Sequence, residues 1–266
     1  MDISELKQKE LPSIPDEIKK SIAACNITLT PFDRKNDVLC KSSLQMEAGY
    51  GRFSDGSYLV SMYCPMSGLT AEMVAWWFWW HPQAKERYQV WFPGAHFGIG
   101  YPRRCAGYFE QETQPPFQDN TQLPTEKIGG MRMPLRIDFV APEEFGFSSL
   151  SMKKNNIPLI VCGHVGAFNG LIWHTEMAHI FYQTQDGLLL TSRFWLGRTM
   201  NPLLRKLMIN NSMECGMAEH CAIEYRNLAP SNLLLYKAAL WGYERGYRTF
   251  HLGGGVGSGK DNLYKI

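Results

Sequence analysis

The order of the hydrophobic patterns predicts an α+β fold, in which an antiparallel sheet closes over a long helix near the C-terminus. Two observations carry this prediction. Several strand-like segments follow one another between residues 132 and 197, and Asp-Gly or Asn-Gly turns separate some of them, as in β-hairpins. Residues 201–229 then have a helical pattern. Because a curved sheet that closes over a helix encloses space, we also expect a pocket.

Composition fits a globular protein. The chain has 266 residues, of which 45% are hydrophobic and 20% are charged, so one large domain or two small ones can form a core. Eight Trp, 12 Tyr and 14 Phe are equally consistent with an aromatic-walled cavity and with a Trp-rich core. A net charge of +2 without a basic run argues against a nucleic-acid partner.

The N-terminus predicts no export signal, since its first twenty residues are charged and have no apolar centre. The most apolar aromatic run, "MVAWWFWW", is too short to span a membrane. We therefore expect a cytoplasmic protein without a membrane partner. The seven cysteines are scattered and form no CxxC motif, which favours reduced thiols over a disulfide framework.

The first half of the chain alternates helix and strand signals. Residues 1–40 form a polar lead-in with one amphipathic helix at 14–26, and residues 43–63 predict two strands around a Ser-Asp-Gly turn. A helix begins after Thr70 and stops at Pro82. The alternation that follows, at 87–97, predicts a short strand, and residues 100–126 have a loop-like composition.

The second half supplies the sheet and the last helix. The four strand candidates lie at 132–142, 157–167, 172–187 and 187–197. The main domain is expected to span 41–229, and 230–266 read as an appended helix and strand. This tail resembles the end of a FemAB-like or GNAT-type acyltransferase, but one helix and one strand cannot form an acyl-CoA site. Its "GGVGSGK" at 254–260 fits GxxxxGK, yet Asp261 stands where a P-loop needs Ser or Thr, so a nucleotide site is not expected.

One helical pair is a candidate for metal binding. His220 and Glu224 stand four residues apart, about one helical turn, and so share a face. Alone the HxxxE spacing is common, and a solvated polar face explains it equally well. His96, at a predicted strand end, and Glu126, at a strand entry, are further candidates. Spacing alone does not bring these four residues together.

At these residues the chain resembles the 2,4-diacetylphloroglucinol hydrolase family, which includes phloretin hydrolase. The resemblance lies in "WWFWWHPQAKERYQVWFPGAHFG", "VCGHVG", "SRFWLG" and "HCAIEYRNLA", and covers roughly residues 40–229. It implies hydrolysis of the C–C bond between an acyl group and a polyhydroxylated aromatic ring. It also implies a helix-grip fold like that of START domains and the birch pollen allergen.

The resemblance implies a zinc ion held by two His and two Glu. The family's motif positions fall on His96, on Glu126 thirty residues later, and on the helical pair His220 and Glu224. Two nitrogens and two oxygens suit zinc, although they also suit iron or manganese.

The resemblance also implies substrate contacts. The family's ring-binding Tyr falls on Tyr88 and its pocket His on His164, so that Tyr88, Glu126 and His164 are the candidate catalytic residues. A second substrate Tyr falls near His179, with Tyr182 as a substitute, and the family's Asn falls on Ile99. Trp91, with Trp76 and Trp77, is a candidate aromatic wall, for which core packing is the alternative. The departures at Ile99 and His179 leave the exact acyl phenol open.

The chemistry defines what the site must supply. A phloroglucinol ring that takes its keto form turns the acyl–ring bond into that of a β-diketone. Cleavage then needs donors at the ring hydroxyls, an acid that delivers a proton to the ring carbon, and a Lewis acid at the acyl carbonyl. His164 is the candidate acid, because histidine titrates near neutral pH.

Other functions stay open at this point. A helix-grip domain can carry an apolar aromatic ligand without chemistry. Cysteine nucleophile chemistry, with Cys162 beside His164 or Cys221 beside His220, has no base–orienter pattern to support it. The expected partner is a small acyl phenol, and the aromatic content is compatible with a homodimer.

Overall fold

The computed structural model describes residues 11–25, 27–111, 119–128, 131–210 and 216–227. Within these ranges the α-helices run, in chain order, α1 Asp16–Ala24, α2 Asn36–Cys40, α3 Ser42–Gln45, α4 Ala71–Trp80, α5 Lys85–Trp91, α6 Ala106–Phe109, α7 Pro142–Phe145, α8 Ser149–Lys154, α9 Pro202–Arg205 and α10 Met217–Asn227. The strands are β1 Gly49–Arg52, β2 Tyr58–Ser67, β3 His96–Gly98, β4 Thr121–Gln122, β5 Thr125–Ile128, β6 Met131–Val140, β7 Leu159–Ala167, β8 Ile172–Gln183 and β9 Gly187–Leu196. The predicted tail, 230–266, lies outside the described residues.

The sheet is antiparallel at every strand pair that the structure describes. Its order is β1-β2-β9-β8-β7-β6-β5-β3, and β4 pairs with β6 beside this path. The neighbours β6, β7, β8 and β9 follow one another in the chain, as the Asp-Gly and Asn-Gly turns predict. This confirms the α+β prediction of a multi-strand antiparallel sheet.

The sheet grips α10 with one face. Residues of β6, β8 and β9 line a cavity together with Met217, His220, Cys221, Glu224 and Tyr225 of that helix. Because side chains alternate along a strand, the neighbours of the cavity residues point to the opposite face. This arrangement, a sheet closed around a helix near the C-terminal end of the main domain, confirms the helix-grip prediction.

The opposite face packs on the N-terminal part of the chain. Its buried cluster joins sheet residues to α2, α3 and α7, and includes Leu39, Leu44, Phe145, Ile160, Ala178, Tyr182 and Trp195. The indole of Trp195 donates a hydrogen bond to the Thr30 carbonyl (2.9 Å), which closes the segment before α2 over the sheet. The described part of the predicted lead-in therefore contributes buried residues to this second core.

Two element predictions differ from the structure. The pattern at 87–97 predicted a strand, but α5 occupies Lys85–Trp91 and only β3 is extended. Tyr88 and Trp91 are buried and three residues apart, a spacing that a helix places on one face. The single helix predicted over 201–229 is also divided: α9 continues into a π-helical turn to Asn210, and α10 starts after Gly216, whose φ is +88°. Positive φ is incompatible with a continuous right-handed helix.

Two further predictions concern the cysteines and membrane-spanning helices. The six cysteines that the structure describes are unpaired. None of the described helices combines the length and apolarity that crossing a bilayer requires.

Candidate functional site

The cavity between the sheet and α10 is mostly apolar, with polar side chains gathered in a few places. Its empty volume is about 1150 Å³, the open mouth included. Phe78, Trp91, Phe139 and Phe194 form aromatic parts of the wall, and Leu135, Ile137, Val165, Met177 and Leu196 form aliphatic parts. This is the composition of a site for a largely apolar ligand that a few polar groups orient.

Three of the four predicted metal ligands, Glu126, His220 and Glu224, line this cavity, and His96 contacts Glu224. His96 opens β3 and its Cα is paired with that of Glu126 on β5. His220 and Glu224 are one turn apart on α10. The Nε2 atom of His96 lies 3.5 Å from Oε1 of Glu224, which joins the strand pair to the helix pair. The structure thus brings together residues that spacing alone could not.

Local packing fixes the His96 ring. Its Nδ1 lies 3.2 Å from the carbonyl oxygen of Tyr88, which can only accept, so Nδ1 carries the proton and Nε2 presents its lone pair. The ring stacks on Tyr88 with centroids 3.9 Å apart and an interplanar angle of 6°. A backbone carbonyl that holds Nδ1 while Nε2 points at the site is the usual arrangement of a metal-binding histidine.

The site contains polar atoms that lack a partner. The Nε2 atoms of His96 and His220 are both buried and have no hydrogen-bond partner among the described residues. Burial lowers the pKa of His96 to about 4 and also lowers the pKa of His220, so both imidazoles are neutral, as metal ligands must be.

The two carboxyl groups are largely enclosed, although neither is fully buried, and the charge of one affects the pKa of the other. Burial is the main cause that raises the pKa of Glu126, and the charge of Glu224 raises it further. Burial also raises the pKa of Glu224, which His220 partly offsets. Buried carboxylates without a cation are costly. This set of two nitrogens and two carboxylates therefore suits a divalent cation such as zinc.

The residues fit an ion in type but are not gathered tightly around a point. Among the described residues, no three His, Cys, Asp or Glu side chains stand in an arrangement ready to hold an ion. The hydroxyl of Tyr88 donates a short hydrogen bond to Oε1 of Glu126, which occupies one of that group's oxygens. Binding of a cation here requires the four side chains to draw together.

The predicted substrate residues separate into two groups. Tyr88, Trp91, His179 and Ile99 line the cavity. The Trp91 indole donates to the carbonyl oxygen of Glu224 (3.1 Å), which ties α5 to α10. Trp76 and Trp77 are not among the lining residues, and Trp76 stacks on Trp80 with centroids 5.1 Å apart.

Tyr182 does not line the cavity. The structure therefore does not support the prediction that Tyr182 replaces the family's second substrate-binding Tyr. It is three residues after His179 and therefore points to the opposite face of β8. There its hydroxyl donates to the carbonyl oxygen of Val38 (2.9 Å) inside the second core. His179 keeps the cavity position, and its Nδ1 lies 2.9 Å from Oγ of Ser192.

His164 also lies on the face away from the cavity, so the structure does not support it as the acid that protonates the ring. It is paired with Asp138 and Glu176 across the sheet, while its neighbour Val165 faces the cavity. Its Nδ1 is 2.5 Å from Oε2 of Glu176, and this hydrogen bond is the main cause that raises its pKa.

Sequence reasoning missed several polar residues of the wall. His81, Gln122, His174, Thr175 and Tyr225 all line the cavity. His81 stands in the segment "WWFWWHPQAKERYQVWFPGAHFG" that carries the family resemblance. It is 1% exposed and stacks on Tyr88, with centroids 5.6 Å apart. Nothing in the local sequence marks Gln122 or Thr175.

Comparison with known proteins places the chain in a family. The family model described as "DAPG hydrolase PhiG domain" matches residues 29–236. Among curated proteins, 2,4-diacetylphloroglucinol hydrolase of Pseudomonas protegens is 33% identical over 190 residues, which cover 68% of this chain and 60% of that protein. A second one from Pseudomonas sp is 32% identical over 68% of this chain and 63% of its own length. The chain thus spans less than two thirds of these two relatives.

Another relative is matched over more of its length. Phloretin hydrolase of Eubacterium ramulus is 28% identical over 219 residues, or 77% of each chain. Two solved structures are also similar. Protein Ms6760 from Mycobacterium smegmatis has 12% identity and a TM-score of 0.37 over 67% of this chain and 94% of its own. Ara h 8.0201 has 10% identity and a TM-score of 0.32 over 65% and 99%.

Proposed function

Because the chain belongs to the DAPG hydrolase family, we propose that it is a metal-dependent hydrolase that cleaves the C–C bond between an acyl group and a polyhydroxylated aromatic ring. Its substrates would be acyl phloroglucinols. Phloretin, which would give phloroglucinol and 3-(4-hydroxyphenyl)propionate, is the first candidate. The observation that carries the proposal is the pair of unpartnered Nε2 atoms of His96 and His220 close to two largely enclosed carboxyl groups beside an aromatic-walled cavity.

The proposed ligands are His96, Glu126, His220 and Glu224. A divalent cation, when bound, would polarise the acyl carbonyl and lower the pKa of a bound water. Zinc is our first choice, and iron and manganese fit the same nitrogen and oxygen donors. Tyr88 holds its carbonyl against His96 and its hydroxyl against Glu126, and so positions one ligand on each strand.

The remaining polar wall residues are suited to hold the ring. Burial raises the pKa of Tyr88 well above its usual range, so its hydroxyl keeps the proton that it donates to Glu126, and its oxygen can accept a hydrogen bond from a ring hydroxyl. Burial lowers the pKa of His179 to about 3, so this imidazole stays neutral and meets a ring hydroxyl as a hydrogen-bond partner rather than as a charge. The apolar wall excludes bulk water, which strengthens each of these contacts.

The net reaction consumes one water. Its hydroxyl ends on the acyl carbon and gives a carboxylic acid, while a proton ends on the ring carbon and gives the free phenol. The acyl–ring bond breaks, and its electron pair stays with the ring until the proton arrives. Since His164 faces away from the cavity, this proton must come from a group of the cavity wall or from solvent that enters it.

Hydrolysis of phloretin and of a synthetic acetylated phloroglucinol tests the proposal. We expect the purified protein to release phloroglucinol, to lose this activity with a chelator, and to regain it with zinc. His220→Ala should lower turnover by more than about a hundredfold, the upper range for residues that only support a ligand. His164→Ala is the matched control, because it makes the same change on the opposite face.

Two other outcomes would change the proposed function. Full turnover in the chelated protein would remove the metal dependence. Tight binding of phloretin without turnover, unchanged in His220→Ala, would instead favour the rival function, a helix-grip module that carries an aromatic ligand.

A further inference from the structure

A β-bulge turns two successive residues of β8 toward the cavity. The register between β7 and β8 shifts between Val165 and Gly166: Thr175 is opposite Val165 and Trp173 is opposite Gly166, which leaves His174 as the extra residue. In a regular strand adjacent side chains point to opposite faces. Here Nδ1 of His174 lies 2.7 Å from Oγ1 of Thr175, and both residues line the cavity. The bulge has re-aimed His174.

The other ring nitrogen of His174 lacks a partner. Its Nε2 is buried and forms no hydrogen bond with the described residues. Burial lowers the pKa of His174 to about 4, so the ring is neutral. With Nδ1 engaged by Thr175, Nε2 is left as one oriented hydrogen-bonding atom in a largely apolar wall. A buried polar atom without a partner is usual where a ligand supplies that partner.

His174 is separated along β8 from His179, which we place at the polyhydroxylated ring. His179, five residues later on β8, packs against Tyr225 with centroids 5.1 Å apart, and Tyr225 follows the proposed ligand Glu224. At the rise of a β-strand, five residues correspond to roughly 16 Å. Met177, Val165 and Leu196 line the cavity near His174 and supply no hydrogen-bonding group. The cavity therefore has polar groups at the proposed reaction centre and a second polar group at His174. Apolar side chains line the wall between them.

We propose that His174, positioned by Thr175, recognises a hydroxyl at the far end of the substrate's acyl arm. This inference rests on the proposed function and narrows its substrate class. The chain would prefer acyl phloroglucinols whose acyl group ends in a hydroxylated ring, as in phloretin, over those with a plain phenylpropanoyl or acetyl group. The polyhydroxylated ring would sit at Tyr88 and His179, and the aliphatic linker would cross the apolar stretch.

The experiment compares phloretin with its analogue that lacks the hydroxyl of the terminal ring. Both dissociation constants, from quenching of tryptophan fluorescence, and both kcat/KM values are measured. We expect the wild type to prefer phloretin by about tenfold, the upper value of one net hydrogen bond. In His174→Leu the preference should fall to about one, because phloretin loses affinity and the analogue does not.

Substitutions at Thr175 separate positioning from packing. Thr175→Val keeps the shape but removes the hydroxyl, and should weaken the preference in kcat/KM. Thr175→Ser keeps the hydroxyl and should retain it. The proposal is overturned if the wild type binds both compounds equally, or if His174→Leu weakens both to the same extent. If His174→Leu weakens both compounds equally, Nε2 faces the neighbouring pocket around His164, which His174 also lines.

The two proposals fail in different ways. If the wild type hydrolyses neither compound, the proposed function is wrong, and the ratio of the two dissociation constants still tests the role of His174. If both compounds are hydrolysed with equal kcat/KM and equal affinity, the hydrolase stands and the recognition of the acyl arm does not.

Discussion

Tyr88 connects the parts of the site at the scale of single residues. Its ring stacks on those of His81 and His96, its carbonyl accepts a hydrogen bond from His96, and its hydroxyl donates to Glu126. One side chain thereby sets the orientation of two proposed ligands. The unpartnered Nε2 atoms nearby each cost about 1–3 kcal/mol of folding free energy. Such a cost is usual where function rather than stability selects the residues.

His164 belongs to a different environment from these residues. Its imidazole is 44% exposed and shares Glu176 with Arg198, whose guanidinium lies 3.7 Å from the other carboxylate oxygen. The family spacing could not reveal this, because one residue of shift along a strand exchanges the two faces of a sheet. The residue type was compatible with an acid, and only the register shows where its side chain points.

The pH dependence of stability tests the placement of His164. Its pKa is raised above 6.5, mainly by the hydrogen bond to Glu176, so the charged form is favoured in the folded state. The contribution is complete below pH 6.5 and is lost as pH rises through the folded pKa. We expect His164→Gln to lose up to about 1 kcal/mol at acidic pH, since solvent screens a half-exposed pair, and nothing at alkaline pH.

Urea unfolding of the two proteins at about pH 5.5 and about pH 9 measures this difference. A loss that grows with rising pH would contradict the assignment.

At the scale of elements, the helix and strand patterns in the sequence predict most of the strands of the sheet. The four candidates between 132 and 197 correspond to β6, β7, β8 and β9, and the helix after Thr70 has the predicted cap, with Oγ1 accepting from the Met73 amide at 3.4 Å. The failures have local causes. In α5 the alternation of polar and apolar residues imitates a strand, while burial of Tyr88 and Trp91 on one side selects the helix. The bulge at His174 has no signature in the sequence at all.

The close pairing of β6 and β7 depends on Gly163. A Cβ atom at this position would overlap the carbonyl oxygen of Asp138 and lie 3.1 Å from Cα of Phe139. Because the obstacle is backbone, Gly163→Ala should destabilise the fold by about 1–3 kcal/mol. Thermal unfolding should show a decrease of several degrees, at about 2–4 °C per kcal/mol.

Gly98→Ala in β3 is the matched control, since a Cβ there meets nothing within 4 Å. It should change stability by no more than about 0.5 kcal/mol. Equal effects of the two substitutions would argue against the register of β6 on β7.

At the scale of the molecule, the two faces of the sheet have different tasks. One face and α10 enclose the cavity, which three of the four proposed ligands line, and the other face packs on the N-terminal segment through residues such as Tyr182 and Trp195. The sequence alone could supply the four ligand types and the family. It could not show that β3, β5 and α10 meet, because that meeting depends on contacts between segments far apart in the chain, such as the one between His96 and Glu224.

The central claim is that His96, Glu126, His220 and Glu224 bind one divalent cation. The most direct test is the anomalous difference map of a crystal grown with zinc and recorded at the zinc edge. We predict one strong peak per chain, within bonding distance of about 2.0–2.2 Å from both Nε2 atoms and both carboxylates. A map without a peak between these side chains, or with its peak elsewhere in the chain, would contradict the account.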